Sequence, residues 1–240
     1  MNLADSKRHP AVRGGGLFVT GTDTEVGKTL VSASLLWALA QTGRRCVGMK
    51  PVASGCRATA AGMRCNDADV LLAHSSVSAS YADVNPYGYE PAVAPHLAAR
   101  AAGQTIELDV IHRHFERLCA TADWLVVEGV GGWLVPLSDD TTVANLAQLL
   151  GLPVLLVVGM RLGCLNHALM TATAIERTDL ELAGWVANQI DAGMALFGEN
   201  VATLKARIDA PLVGVVPHLA DITPRVAAAN LDLAKLRSFR

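Results

Sequence analysis

The sequence predicts a doubly wound α/β fold, a single domain built on a mostly parallel sheet with helices on both faces. Three observations carry that expectation. Short β-branched apolar runs recur along the chain, longer Ala- and Leu-rich stretches separate them, and the runs lack polar alternation. A strand without alternation has no solvent face, so it belongs in a sheet covered on both sides. Strand–helix alternation then requires right-handed βαβ crossovers, and ligands gather beyond the carboxyl ends of the strands.

The elements follow in order. Leu17-Phe18-Val19-Thr20 is the first strand, and a Gly-rich turn leads from it into a helix over Lys28–Gln41. Cys46-Val47-Gly48-Met49 is the second strand, followed by helices over 67–73 and 108–120. Trp124-Leu125-Val126-Val127 is the third, with a helix over Val143–Leu150. Val154-Leu155-Leu156-Val157-Val158 is the fourth, with a helix over 165–177. Gly184-Trp185-Val186-Ala187 is the fifth, with a helix over 194–207, and Leu212-Val213-Gly214-Val215-Val216 is the sixth. No repeat or composition break divides residues 17–240. Residues 1–16 read as a flexible extension hinged at Gly14-Gly15-Gly16.

Composition narrows the class. With 51% apolar and 18% charged residues, the 240-residue chain is not a disordered one. A chain of this length buries about three quarters of its unfolded surface, so it needs no disulfide or metal staple. Aromatics are only 5%, so Ala, Val, Leu and Ile must build the core, with Met and Trp joining them there. A net charge of −2 gives no electrostatic footprint for nucleic acid. The five cysteines, Cys46, Cys56, Cys65, Cys119 and Cys164, fit no zinc spacing, and an odd count precludes complete pairing. They read as reduced thiols of a cytoplasmic protein. The longest apolar run, 152–160, is strand-sized and far short of the roughly 18 residues of a membrane span. Residues 1–13 lack the apolar segment of a secretory signal.

The chemistry concentrates at strand ends. Gly21-Thr22-Asp23-Thr24-Glu25-Val26-Gly27-Lys28-Thr29 joins the first strand to a helix. In that context backbone N–H groups and the helix dipole together bind phosphate. Gly27 permits close approach, Lys28 reaches the terminal phosphates, and the Thr29 hydroxyl suits Mg²⁺. The usual pattern would put its first glycine at position 22; here it is Thr22, and the glycine is Gly21. The plainer alternative is an ordinary turn with Lys28 solvated.

Glu128 ends the third strand and opens Glu128-Gly129-Val130-Gly131-Gly132. A carboxylate there lies beside the phosphate-loop strand and suits Mg²⁺, or else it faces solvent as most carboxylates do. Asp67 starts a helix, where capping is the simpler role, though capping and metal binding can coexist. Lys50 closes the second strand, before Pro51 and Ser54. It reads equally as a surface lysine or as a cation offsetting charge in phosphoryl transfer. His112 and His114 are two apart on a helix and face different ways. The turn through Gly163, Cys164, Leu165 and Asn166 follows the fourth strand and leads into a helix, a place for an anion. Asn188 and Pro217 lie just past the fifth and sixth strands, at the nucleotide end of the sheet.

Six stretches in order resemble the dethiobiotin synthetase family: 19–29, Lys50-Pro51-Val52-Ala53-Ser54-Gly55, Val84-Asn85-Pro86-Tyr87, 127–133, 162–167 and 184–188. The likeness runs from about Leu17 to Leu219, and Gly21 is that family's own form of the loop. It implies an ATP-dependent cyclo-ligase that forms the ureido ring of dethiobiotin from 7,8-diaminononanoate and CO₂. A carbamate oxygen attacks the γ-phosphate to give a carbamic–phosphoric anhydride, and the second amine then closes the ring. The same resemblance implies that Glu25, Val26, Gly27, Lys28, Thr29 and Leu30 form the ATP loop. Thr29, Asp67 and Glu128 would hold Mg²⁺, and Lys28 and Lys50 would be catalytic. Ser54 would touch the substrate, and Glu128, Gly129, Val130 and Gly131 would line the phosphate side. Asn188 and Gln189, with Pro217, His218 and Leu219, would surround the adenine; Gln189 and His218 depart from the usual residues. It further implies a homodimer in which Gly163, Cys164, Leu165 and Asn166 of one copy receive the substrate carboxylate of the other.

Two other classes share the phosphate loop. Partitioning-type ATPase switches usually carry a second lysine early in the loop, and here that stretch is Thr22, Asp23, Thr24 and Glu25. A small-molecule kinase would release a phosphorylated product in place of free phosphate.

Overall fold

The computed structural model describes residues 15–237. In chain order the elements are β1 (Gly15–Gly21), α1 (Lys28–Gln41), β2 (Cys46–Met49), β3 (Val52–Ser54), β4 (Arg57–Thr59), β5 (Gly62–Arg64), α2 (Asn66–His74), α3 (Tyr81–Val84) and β6 (Tyr87–Tyr89). They continue with α4 (Pro95–Ala101), α5 (Leu108–Thr121), β7 (Trp124–Gly132), α6 (Val143–Leu150), β8 (Val154–Gly159), α7 (Cys164–Glu176), β9 (Leu182–Asn188), α8 (Phe197–Arg207), β10 (Leu212–Val216) and α9 (Pro224–Ala228).

All six expected strands join one sheet in the order β10-β9-β8-β1-β7-β2, and every pairing is parallel. Successive residues of a strand feed opposite faces. Phe18, Met49, Val127, Leu156 and Val158 pack against Phe115, Leu118, Leu146, Ala168 and Ile175 of α5, α6 and α7. Val19, Val126, Leu155 and Val157 pack on the other face against Val31, Leu35, Leu36 and Leu39 of α1, with Leu71 and Ala227. The sheet therefore has no wet face, which is why its strands carry no polar alternation.

The expected helices all form, with small shifts at the ends, except that α8 starts at Phe197 and not at 194. The elements absent from the sequence reading are β3, β4, β5, β6, α3, α4 and α9. The strands among them have three residues each and pair in twos. Met170 is exposed, against the expectation that methionines line the core, while Met49, Met160, Trp124, Trp133 and Trp185 are buried.

Two boundaries need correction. The first strand opens at Gly15, so Gly15 and Gly16 are strand residues and not part of a hinge; Gly14 and the rest of the expected extension lie outside the described residues. A Cβ at Gly15 would meet the Trp124 ring at 2.7 Å, and one at Gly16 would meet Leu152 at 2.9 Å, so close packing explains these glycines. The third strand does not end at Glu128 but runs on through Gly132 as β7, with a register irregularity opposite the end of β1.

The cysteines need a third correction. Cys56 and Cys65 form a disulfide, so only Cys46, Cys119 and Cys164 are free among the described residues. The antiparallel pairing of Arg57 with Arg64 sets their neighbours opposite each other, with Cα atoms 4.3 Å apart. Sequence spacing does not reveal that hairpin. No helix among the described residues is long and apolar enough to cross a membrane.

Candidate active site

The strand order places β1 beside β7 and β7 beside β2, so the residues at their carboxyl ends converge. Val19 pairs with Glu128, and Met49 pairs with Val127, one residue before Lys50 and Glu128 respectively. Lys50 Nζ lies 2.6 Å from Glu128 Oε1, 2.8 Å from Asp67 Oδ2 and 3.1 Å from the Gly129 carbonyl. The Thr29 hydroxyl donates to Glu128 Oε1 at 2.9 Å. Lys50 is 2% exposed and Glu128 fully buried, so neither is the solvent-facing residue that composition alone favours. Asp67 does not cap α2. Cys65 holds the cap position, and the Asp67 carboxylate turns to Lys50.

The electrostatics follow from this crowding. Burial alone would lower the Lys50 pKa, but Glu128 and Asp67 outweigh it and hold the ammonium above its ordinary value. Burial likewise pushes Asp67 up, yet Lys50 and Thr29 bring it below the usual carboxylate range. Lys28, 6% exposed, has its charge disfavoured by burial and by Lys50, and its pKa falls to about 8.

The loop around Lys28 is backbone-rich and sharply turned. Glu25 adopts a left-handed φ of 59° and Gly27 a φ of 89°. Lys28 Nζ donates to the Asp23 carbonyl at 2.8 Å, and the Asp23 carboxylate pairs with Arg161 at 2.7 Å. Gly21 is needed sterically, since a Cβ there would meet Val26 at 2.6 Å.

A cavity of about 750 Å³ opens over this cluster. Its walls take Glu25, Gly27, Lys28, Thr29, Lys50, Ser54, Asp67, Glu128, Val130 and Gly131 from the sequence reading. Val26 is absent from the walls because its side chain is buried in the core beneath the loop, and Leu30 packs against the same cluster. Gly129 contributes its carbonyl to Lys50 instead. The sequence reading missed Thr24, Ala53, Ala92, Val93, Ala94, Pro95 and Val135 as lining residues. Of these, Ala94-Pro95 carried a signal, since a proline at the first helical position marks a helix start.

The residues expected around the adenine gather apart from this cavity, beyond β9 and β10. Asn188 Nδ2 donates to the Val26 carbonyl of the phosphate loop at 2.8 Å. The Gln189 N–H donates to Val216, and the His218 N–H to Gln189 Oε1 at 3.4 Å, so Pro217 and Leu219 flank the same corner. Gly163, Cys164, Leu165 and Asn166 do not line the cavity; they start α7 from a left-handed Gly163. His112 stands near Glu116 and His114 bonds Asp83, so the two histidines are indeed apart.

Three groups are suited to Mg²⁺ by chemistry. Asp67, Glu128 and Thr29 present hard oxygen donors, and Glu128 Oε2 is buried without a partner. Ser54 Oγ is likewise buried without a partner in the cavity wall.

Comparison with known proteins fits this geometry. A family profile described as an AAA domain matches residues 15–226. A protein of Pseudomonas paraeruginosa named ATP-dependent dethiobiotin synthetase BioD is 53% identical, over 91% of this chain and 96% of its own. Proteins of the same name from Nitrosospira multiformis and Ralstonia nicotianae are 51% and 52% identical, over 93% and 91% of this chain and 97% and 96% of theirs. The chain belongs to the dethiobiotin synthetase family. Its fold is shared more widely. The MinD cell division protein of Aquifex aeolicus superposes with a TM-score of 0.54 at 16% identity, covering 92% of this chain and 89% of that one. A chain of the MinC:MinD complex gives 0.55 at 15%, covering 92% and 88%. At such identities the likeness concerns the P-loop NTPase architecture alone.

Proposed function

We propose that the chain is an ATP-dependent cyclo-ligase that closes the ureido ring of dethiobiotin from 7,8-diaminononanoate and CO₂, releasing ADP and phosphate in biotin biosynthesis. The observation that carries this reading is the cluster in which buried Lys50 and Glu128 meet the half-buried Asp67 against the phosphate loop, in a cavity whose wall includes Ser54. One amine takes up CO₂ as a carbamate, whose oxygen attacks the γ-phosphorus while the bond to ADP breaks. The second amine attacks the carbamoyl carbon, loses its proton and expels phosphate.

The residues suit those steps. Thr29, Asp67 and Glu128 are the oxygen donors that would hold Mg²⁺, which neutralises phosphate charge when bound. Lys28 leaves the Asp23 carbonyl to reach the terminal phosphates, and its lowered pKa makes it a group whose charge the phosphates would restore. Lys50 already carries a fixed charge beside the site of transfer, so it needs no rearrangement to stabilise the transferring oxygens. Ser54 Oγ, buried without a partner in the cavity wall, would have to turn into the cavity to bond the diamine or the carbamate. Glu25, Gly27 and Gly131 would bound the phosphates, with Val26, Leu30, Gly129 and Val130 supporting the loops. Asn188, Gln189, Pro217, His218 and Leu219 would receive the adenine.

We further propose a homodimer. Leu162 is 96% exposed beside the Gly163–Cys164–Leu165–Asn166 turn, and Leu134 and Met170 are exposed as well. These exposed apolar side chains would suit an association face. A second copy would then bring that turn, whose Cys164 N–H is bonded to the Arg161 carbonyl, to the substrate carboxylate.

The test is an assay with diaminononanoate, bicarbonate, Mg²⁺ and ATP. Phosphate release that requires both the diamine and CO₂, with dethiobiotin as product, is the expected result. Release without them would indicate a nucleotide switch, and a phosphorylated diamine would indicate a kinase.

A further inference from the structure

A polar network reaches the charged cluster from behind the cavity, through α3 and the residue that follows it. Asn85 is 6% exposed. Its Nδ2 donates to the Lys50 carbonyl at 2.6 Å and to the Tyr87 carbonyl at 3.2 Å. The Lys50 N–H in turn donates to the Val84 carbonyl at 2.8 Å. Both backbone polar groups of Lys50, which lies just past the end of β2, are therefore satisfied by residues 84 and 85. On its other side, Asn85 Oδ1 accepts from the Tyr81 hydroxyl at 3.3 Å. That hydroxyl accepts from the Cys65 N–H at 2.7 Å, and Cys65 is the cap residue of α2, two positions before Asp67. The Arg64 guanidinium lies 3.8 Å from the centroid of the Tyr81 ring and pairs with Asp69 of α2, which fixes the ring.

The chain of bonds thus runs from the backbone of Asp67's helix, through Tyr81 and Asn85, to the backbone of Lys50. Lys50 and Asp67 come from separate elements, yet their side chains meet at 2.8 Å. We propose that Tyr81 and Asn85 are positioning residues for the ring-forming site, holding Lys50 and Asp67 in register by hydrogen bonds to the two backbones. The roles of Lys50 and Asp67 in this rest on the proposed function. Neither Tyr81 nor Asn85 lines the cavity. The physical basis is that a flexible lysine is useful in phosphoryl transfer only if its anchor is fixed, since small misplacements are costly.

The test compares Tyr81→Phe and Asn85→Ala with Ser80→Ala. Ser80 caps α3 by accepting from the Asp83 N–H at 3.1 Å and takes no part in the relay. Tyr81→Phe should lower kcat about tenfold or more, with KM for ATP and diamine within about twofold of wild type. Ser80→Ala should lose thermal stability with kcat retained. Wild-type kcat in folded Tyr81→Phe would overturn the proposal, as would activity losses that merely track Tm across the three variants. Should Asn85→Ala fail to fold, Tyr81→Phe, which removes a single oxygen, decides alone. A crystal structure of Tyr81→Phe adds a readout independent of turnover. Separation of Lys50 Nζ from Asp67 beyond ion-pair reach is expected, and an unchanged pair refutes the relay. Wild-type protein with no diamine-dependent turnover would instead fail the proposed function, leaving the structural readout to judge the relay.

Discussion

Two lysines at one site are handled in opposite ways. Lys50 has two carboxylates in contact and keeps its charge, whereas Lys28 is desolvated by burial, has the like charge of Lys50 nearby and is pushed down to about 8. A base whose folded pKa lies below its unfolded value of 10.5 destabilises the fold while protonated. That penalty is fully present below about pH 8 and relieved as pH rises towards 10.5. Lys28→Met should therefore stabilise the nucleotide-free protein at pH 7, by on the order of 3 kcal/mol at most, and the gain should vanish near pH 10.5. Denaturant melts at both pH values check this, and an equal gain at both would contradict it. Lys50→Ala should lose at least a hundredfold in turnover and, by stranding Glu128, several kcal/mol of stability. Lys50→Met combined with Glu128→Gln should regain the stability and not the activity, as melts and phosphate assays would reveal. Sequence could place Lys50 at a strand end but could not tell a surface lysine from this one. That distinction depends on Asp67 and Glu128, which lie on other elements.

At the scale of elements, the glycines at two helix starts differ in what they permit. Gly27 has a φ of 89°, and a Cβ there would fall 2.1 Å from Asn188 Nδ2. Gly163 has a φ of 94° with nothing within 4 Å. Gly27→Ala should therefore break the Asn188 contact with the loop and abolish the thermal shift given by ATP. Gly163→Ala should cost only the conformational strain, about 1 kcal/mol, and retain that shift. Differential scanning fluorimetry with and without nucleotide separates the two. The long elements were legible because each has an unbroken apolar run or a helical period. The β4–β5 hairpin was not, since strands of three residues are too short to show a period. With it went the Cys56–Cys65 bond, a product of a chain reversal that no local pattern announces.

At the scale of the whole molecule, the cavity and the 163–166 turn lie on separate parts of one chain, and the proposed dimer brings them together. Inactive Glu128→Gln and inactive Asn166→Asp proteins, mixed and allowed to exchange, should regain roughly a quarter of wild-type turnover, because half the dimers hold one intact site. Absence of recovery, with heterodimers demonstrated by mass, would count against a shared site. The exposed Leu162 and Met170 belong to this scale too, because a residue exposed in one chain need not be exposed in an assembly.

The sequence by itself determined the parallel sheet, its six strands, the phosphate loop and the family. Each of these is written in contiguous residues, as apolar runs without alternation or as motifs at a strand-to-helix junction. Only the tertiary structure decided that Lys50 is buried, that Asp67 faces it and does not cap its helix, that Cys56 meets Cys65, and that Tyr81 and Asn85 tie the cluster together. Those facts depend on which strand lies beside which and on how loops fold back over the sheet. Spatial neighbours far apart in the chain leave no mark in the local order of residues.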